Sequence, residues 1–245
     1  MIEDRIDTPG KKRSFNRRHF TVAASRYDLA TRFMSLRRDS SWKRRLVGSL
    51  PEMDYPFCVD LACGTGDVAF LLASRYPRGQ VEGVDITEAM LEIARGRNRF
   101  QNVTFACRDM ADTGFSRGSA DFVTGSYALR NAPSLEDALR EVFRILKPGG
   151  VAAFLEFTRH SSPRYHSMMC RFLKAWCGLW GLILHGDPEI HGYVGASLTT
   201  YPDAESFNSL IHKQGFRLIF RQRVTFGIIE LMMIQKPFPV EEKED

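Results

Sequence analysis

The sequence predicts an α/β fold, a doubly wound and mostly parallel sheet with an N-terminal helical cap, and three observations carry that prediction. Short apolar runs alternate with segments of helical apolar spacing between residues 57 and 157. A glycine-rich turn follows the first of those runs. Acidic residues stand at the carboxyl ends of three successive runs, where an open parallel sheet forms its ligand crevice.

Residues 1–15 are polar and are expected to form a loose arm. Residues 16–50 place apolar side chains at Phe20, Val22, Ala23, Leu29, Phe33, Met34, Leu36 and Trp42, a helical pattern suited to a cap over the cleft. Strands are expected at Phe57–Ala62, Val81–Val84, Val103–Cys107, Phe122–Gly125 and Val151–Phe157, with helices at 66–75, 88–97 and 134–146. Ser134, with Asp137 three residues on, caps the last of these helices, and Lys147-Pro148-Gly149-Gly150 is expected to stop it before the fifth strand. Residues 161–200 read as an apolar helical lid and 201–240 as completion of the sheet. Residues 16–240 then make one domain, with 51–160 as its cofactor-binding core.

The segment Val59-Asp60-Leu61-Ala62-Cys63-Gly64-Thr65-Gly66-Asp67 ends the first strand. Gly64 and Gly66 allow a sharp turn and a close backbone approach to a ligand. The second strand ends at Asp85-Ile86, where a carboxylate can accept hydrogen bonds from vicinal ribose hydroxyls. Past the third strand, Asp109 can accept from an exocyclic adenine amine while Met110 packs on the ring. A dinucleotide fingerprint is disfavoured, because Asp67 would set negative charge where a pyrophosphate should lie. A cofactor with a cationic centre and no phosphate fits better, with Asp60 or Asp67 facing that centre. In this the loop resembles the class I S-adenosylmethionine-dependent methyltransferases.

Composition agrees with one globular domain: 245 residues, 44% hydrophobic and 26% charged. The five cysteines form no Cys-x-x-Cys pair, so zinc and a disulfide framework are not expected. No apolar run is long enough to span a bilayer, and the charged start is unlike a secretory signal, so a cytoplasmic protein is expected. The net charge of +5 is concentrated near the amino end, at Lys11-Lys12-Arg13, Arg17-Arg18, Arg37-Arg38 and Lys43-Arg44-Arg45. A solvated polar face explains much of it. An anionic membrane surface is preferred over nucleic acid as a partner, since no basic–aromatic alternation is present. The sequence leaves room for a homo-oligomer.

Val22-Ala23-x-x-x-Tyr27-Asp28, Met34-Ser35, Trp42-Lys43, the loop from Asp60 to Asp67, Leu129-Arg130-Asn131, Arg144-x-Leu146-Lys147-Pro148-Gly149-Gly150 and Leu155-Glu156-Phe157 together resemble the ubiquinone/menaquinone biosynthesis C-methyltransferases, from about Phe20 to about Pro237. The resemblance implies S-adenosylmethionine as cofactor, held by Thr65, Asp85, Asp109, Met110 and Ser126. It implies a polyprenyl quinol as substrate, demethylmenaquinol or a ubiquinol precursor, methylated on a ring carbon and met by Tyr27, Arg130 and Asn131. Arg130 stays protonated and is cast as stabilising a phenolate, with Asn131 and Tyr27 fixing orientation. The chain departs from the family pattern at Arg37-Arg38-Asp39-Ser40, Ile190-His191-Gly192-Tyr193-Val194 and Met232. Alternatives are a methyltransferase acting on oxygen, nitrogen or carbon of another small aromatic metabolite, and a non-catalytic scaffold that binds S-adenosylmethionine or a quinone.

From Tyr165 to His185 an apolar stretch with helical spacing is interrupted by Arg171, Lys174, Gly178 and Gly181. It reads as a helix packed on the sheet or as a lid in peripheral contact with a membrane. His160, His166, His185 and His191 lack metal-ligand spacing, and no metal is expected. His185 or His191 stays open as a base.

Overall fold

The apolar runs become strands of a single sheet in the computed structural model, which describes residues 8–239. Phe57–Leu61 (β1), Gln80–Asp85 (β2), Val103–Cys107 (β3), Ala120–Ser126 (β4) and Leu146–Phe157 (β5) are parallel, and Arg217–Val224 (β6) and Ile229–Gln235 (β7) join antiparallel. The order across the seven strands is β3-β2-β1-β4-β5-β7-β6. Strand order therefore reverses between β1 and β4, and a crevice opens above their carboxyl ends.

Strands covered on both faces favour apolar residues at every position, which is why Val151–Leu155 of β5 is an unbroken apolar run; β4 is buried as deeply but includes Asp121 and Thr124. Alternate residues still serve opposite faces. Val59, Leu61, Ala152 and Phe154 pack with Asp67–Arg75's counterparts across the sheet: Leu135–Ile145 (α6), Pro163–His185 (α7), Glu189–Thr199 (α8) and Ala204–Lys213 (α9). Cys58, Val151, Ala153 and Leu155 pack with Asp39–Gly48 (α3) and Asp67–Arg75 (α4). Glu88–Arg97 (α5) links β2 to β3. As expected, Ser134 Oγ caps α6 by accepting from Asp137 N at 3.2 Å.

The structure departs from expectation at three places. Residues 9–15 are not loose: Pro9–Ala23 forms α1, with Pro9 at its first turn and Thr8 Oγ1 accepting from Lys11 N at 3.4 Å. Residues 1–7 of the expected arm lie outside the described residues. The helix before β5 stops at Ile145, one residue short, because Leu146 is extended and already pairs with Ala120. Lys147-Pro148-Gly149-Gly150 then lies within β5 at a register shift, where Pro148 cannot donate to the ladder. Finally, the lid is two helices, α7 and α8, in close approach. A Cβ at Gly181 would stand 2.7 Å from Asp187 O, and one at Gly195 2.6 Å from Cys170 O. Gly181, one of the glycines that interrupt the apolar stretch, and Gly195 of α8 thus let backbone meet backbone. Among the described residues no helix is long and apolar enough to cross a membrane.

The cap consists of α1, a short 3₁₀ turn, Tyr27–Met34 (α2) and α3. Phe15 and Tyr193 of α8 meet with ring centroids 5.0 Å apart, and Asn16 Nδ2 donates to Asn131 O at 2.6 Å. These contacts draw α1 across the carboxyl ends of the parallel strands.

Candidate active site

The turn after β1 is built from left-handed backbone: Ala62 at φ 49°, Gly64 at 53° and Gly66 at 92°. Ala62 holds this conformation at a cost that sites over-determined by their surroundings sustain. Asp85 supplies that constraint. Its Oδ2 accepts from Gly64 N at 2.9 Å and its Oδ1 from Thr87 N at 2.8 Å, which leaves each oxygen a further lone pair. Burial raises the Asp85 carboxyl above its ordinary value. A Cβ at Gly64 would meet nothing within 4 Å, so the loop presents bare backbone to open space.

Asp60 is buried at the end of β1. Its Oδ1 accepts from Thr124 Oγ1 at 2.7 Å, while Oδ2 has no partner, and neither has the buried Ser126 Oγ. Burial pushes the Asp60 carboxyl up to about 7, against the opposing hydrogen bond from Thr124. Asp67, the other candidate for a cationic centre, is already neutralised by Lys43 Nζ at 3.1 Å and Arg97 Nη2 at 2.7 Å. Thr65 donates its hydroxyl to Asp28 Oδ1 at 2.6 Å, which ties α2 to the glycine turn. Gly66 is outside the three chambers described next; it is the left-handed cap residue of α4, packed against Phe70 and Phe105.

Three chambers meet at Tyr27 and Tyr127. One, of about 60 Å³, includes Gly64, Asp85, Ile86, Asp109, Met110 and Ser126 in its wall, and Asn131 at its edge. A smaller one, of about 30 Å³, holds Asp60, Thr65 and Asp67. The third, of about 450 Å³, is apolar, walled by side chains such as Phe157, Leu173, Trp176, Val194 and Ile228, with Arg130 in its lining. Tyr127, left-handed at φ 58°, and Tyr27 therefore stand between polar cleft and apolar cavity. Burial raises both phenols above their ordinary value, so they act as neutral donors.

Arg130 is 6% exposed and Glu156 is fully buried. The guanidinium Nε stands 3.3 Å from Glu156 Oε1, Nη1 donates to Asn131 Oδ1 and Ser197 Oγ at 3.1 Å each, and the group lies 5.3 Å over the Phe157 ring. Asn131 Nδ2 donates to Tyr127 O at 2.9 Å. Burial raises the Glu156 carboxyl, with the Arg130 charge opposing. Lys12 Nζ donates to Arg130 O at 2.9 Å, and burial lowers its ammonium to about 8. Arg13 Nε pairs with Asp109 Oδ2 at 2.5 Å, so α1 occupies the carboxylate expected to meet adenine.

Every site residue expected from the sequence except Gly66 reaches one of these chambers. Reasoning from sequence assigned no individual role in the site to Asn16, Phe20, Tyr127 or Glu156. Glu156 had a signal, a lone acid inside an otherwise apolar strand, which demands a buried partner. His185 and His191 stack ring on ring at 5.1 Å, and burial lowers His191 to about 4, which makes it a weak base. Among the described residues no group of three or more His, Cys, Asp or Glu is placed to hold a metal.

The strand order, the acid-tipped parallel strands and the glycine turn define a class I S-adenosylmethionine-dependent methyltransferase. Solved structures share the fold: a Haloferax volcanii methyltransferase in complex with the Trm112 methyltransferase activator (TM-score 0.65, 16% identity, 89% of this chain and 97% of that one) and Haemonchus contortus phosphoethanolamine N-methyltransferase 2 in complex with S-adenosyl-L-methionine (TM-score 0.62, 16%, 80% and 52%). The chain belongs to the ubiE/COQ5 methyltransferase family, whose model matches residues 11–236. It is 32% identical over 218 residues to the Cereibacter sphaeroides ubiquinone/menaquinone biosynthesis C-methyltransferase UbiE, covering 86% of each chain. It is 30% identical to the mitochondrial 2-methoxy-6-polyprenyl-1,4-benzoquinol methylase of Caenorhabditis elegans (89% and 78% covered) and 29% identical to the demethylmenaquinone methyltransferase of Bacteroides fragilis (93% and 94%).

Proposed function

We propose that this enzyme methylates a ring carbon of a polyprenyl quinol, of the demethylmenaquinol or ubiquinol-precursor type named for its relatives. The observation that carries the reading is Arg130, a buried guanidinium in the wall of an apolar cavity that opens at Tyr27 and Tyr127 onto the cofactor cleft. A cavity this apolar suits a prenylated ring, and its one buried cation suits an oxygen that becomes negative.

The unpartnered Asp60 Oδ2 and Ser126 Oγ fit the methionine end of S-adenosylmethionine, and Asp85 retains acceptor capacity for its ribose hydroxyls. Met110 and Ile86 flank the place of its adenine, with Asp109 free to accept the amine once Arg13 is displaced. The bound cofactor supplies a methyl group on a sulfonium. The residues then position and polarise. Arg130 stabilises the phenolate whose electrons pass into the ring, Asn131 fixes the guanidinium, and Tyr27 orients the ring at the junction. The phenol proton before transfer and the ring hydrogen after it both leave as protons to solvent. Glu156 offsets the Arg130 charge until a phenolate is present. A prenylated substrate makes a peripheral membrane contact part of this reading.

The test is mass spectrometry of reduced demethylmenaquinol and demethylated ubiquinol precursor after incubation with methyl-labelled S-adenosylmethionine. Label on a ring carbon is expected. Cofactor binding without label on either quinol would overturn the reading.

A further inference from the structure

α7 has two apolar faces. Met169, Leu173 and Cys177 are buried in the core, while Tyr165, Met168, Phe172, Leu179, Leu182 and Ile183 are exposed. At about 100° per residue the exposed set falls on one side of the helix. Phe33 stacks on Trp180 at 4.7 Å and Trp176 Nε1 donates to Met34 O at 3.1 Å, so α2 continues the patch with Leu29, Phe33 and Leu36. Nine of the fifteen large hydrophobic side chains exposed among the described residues lie on α2, α7 or the turn after α2. A continuous patch of this kind marks an interaction surface.

Charge and continuity indicate what covers it. α7 contains Arg164, Arg171 and Lys174 and no acid. Arg26, Arg32, Arg37 and Arg38 stand around α2, whose one acid, Asp28, is turned to Thr65 and Arg97. Leu36 and Phe172 also line the apolar cavity while remaining 69% and 58% exposed, which makes them its mouth. Leu36 and Arg37 are both left-handed, at φ 51° and 65°, a strained non-glycine turn at that mouth. A cavity of about 450 Å³ accommodates a quinol head and the start of a tail, and a long polyprenyl chain must continue outside it. A second copy packed α7 on α7 would bring cations together with no acid on either helix to pair them.

We propose that the α2–α7 face docks on an anionic lipid bilayer and that the substrate tail passes from the bilayer into the cavity between Leu36 and Phe172. The tail route rests on the polyprenyl quinol reading above; the docking surface does not. The experiment floats the full chain on phosphatidylcholine vesicles with and without phosphatidylglycerol. Binding is expected to need phosphatidylglycerol and to weaken with salt. Leu179→Glu and Ile183→Glu, both outside the cavity lining, should each lower partitioning by at least about tenfold. Arg171→Gln, which removes one cation beside the patch, should cost about fivefold. Turnover of a tail-less quinol should stay unchanged in Leu179→Glu, while turnover of the polyprenyl quinol in vesicles falls with binding. Wild-type protein that does not float, or variants that float equally, would overturn the proposal, as would a dimer by light scattering that these variants dissociate. Failure of the wild type to methylate either quinol would count against the substrate reading alone, since flotation is read separately.

Discussion

Arg130 and Glu156 are both buried, and each makes the other tolerable there. Removing one partner of such a pair leaves an uncompensated buried charge, so Glu156→Gln should lower stability by about 3 kcal/mol in urea denaturation. Arg130→Lys keeps the charge but loses the fork that reaches Asn131, Ser197 and Glu156 together. Single-turnover methylation should slow by about a hundredfold with cofactor affinity unchanged. Asp60 gives a pH signature. Its carboxyl is raised from 3.8 to about 7, so the folded protein holds this proton more tightly than the unfolded chain. Stability of the cofactor-free protein therefore falls as pH rises from about 4 through about 7 and is level above. Cofactor affinity moves the other way, because a cationic ligand favours the ionised carboxylate. Calorimetry should find affinity roughly tenfold weaker at about pH 6 than at about pH 8, and Asp60→Asn should flatten the difference. Asp60, Asp85 and Asp109 were legible in the sequence because strand ends fix their place. The ion pair between Arg130 and Glu156 was not, because it joins residues 26 apart whose meeting depends on the finished sheet.

Among the elements, α1 does most to shape the cleft. The chamber beneath it, about 60 Å³, is well short of the roughly 300 Å³ at which small-molecule pockets begin, so α1 is expected to shift as the cofactor enters. The Arg13–Asp109 pair is partly exposed and weak, and its loss should speed association modestly. Stopped-flow fluorescence of Arg13→Ala should show an on-rate about two- to fivefold higher; an unchanged rate would mean that another contact controls opening. Asp28→Ala removes the bond that anchors α2 to Thr65. It should weaken cofactor binding about fivefold, read by titration, and cost about 1 kcal/mol. The start of α1 was hidden from sequence reading because residues 9–15 are polar and read as a loose arm. Its helix is stabilised by partners far along the chain, Tyr193 and Asn131. α6 was legible almost to the residue, since cap and apolar periodicity are local. Its end shifted by one only because Leu146 pairs with Ala120.

At the scale of the whole molecule, alternation predicted the five parallel strands, with α-helices in three of their four connections. The two antiparallel strands required information that no window of sequence contains. β6 and β7 were expected only as completion of the sheet, and nothing local says that β7 lies inside β6. That placement has a consequence for biosynthesis. β5 is made long before residues 229–235, and until that segment leaves the ribosome the row from Val151 to Phe157 is an open apolar edge. The nascent chain must carry this exposed ladder through about seventy further residues of synthesis, several seconds at ordinary elongation rates, with α7 and α8 as its first cover. Chaperone demand should therefore peak late in translation.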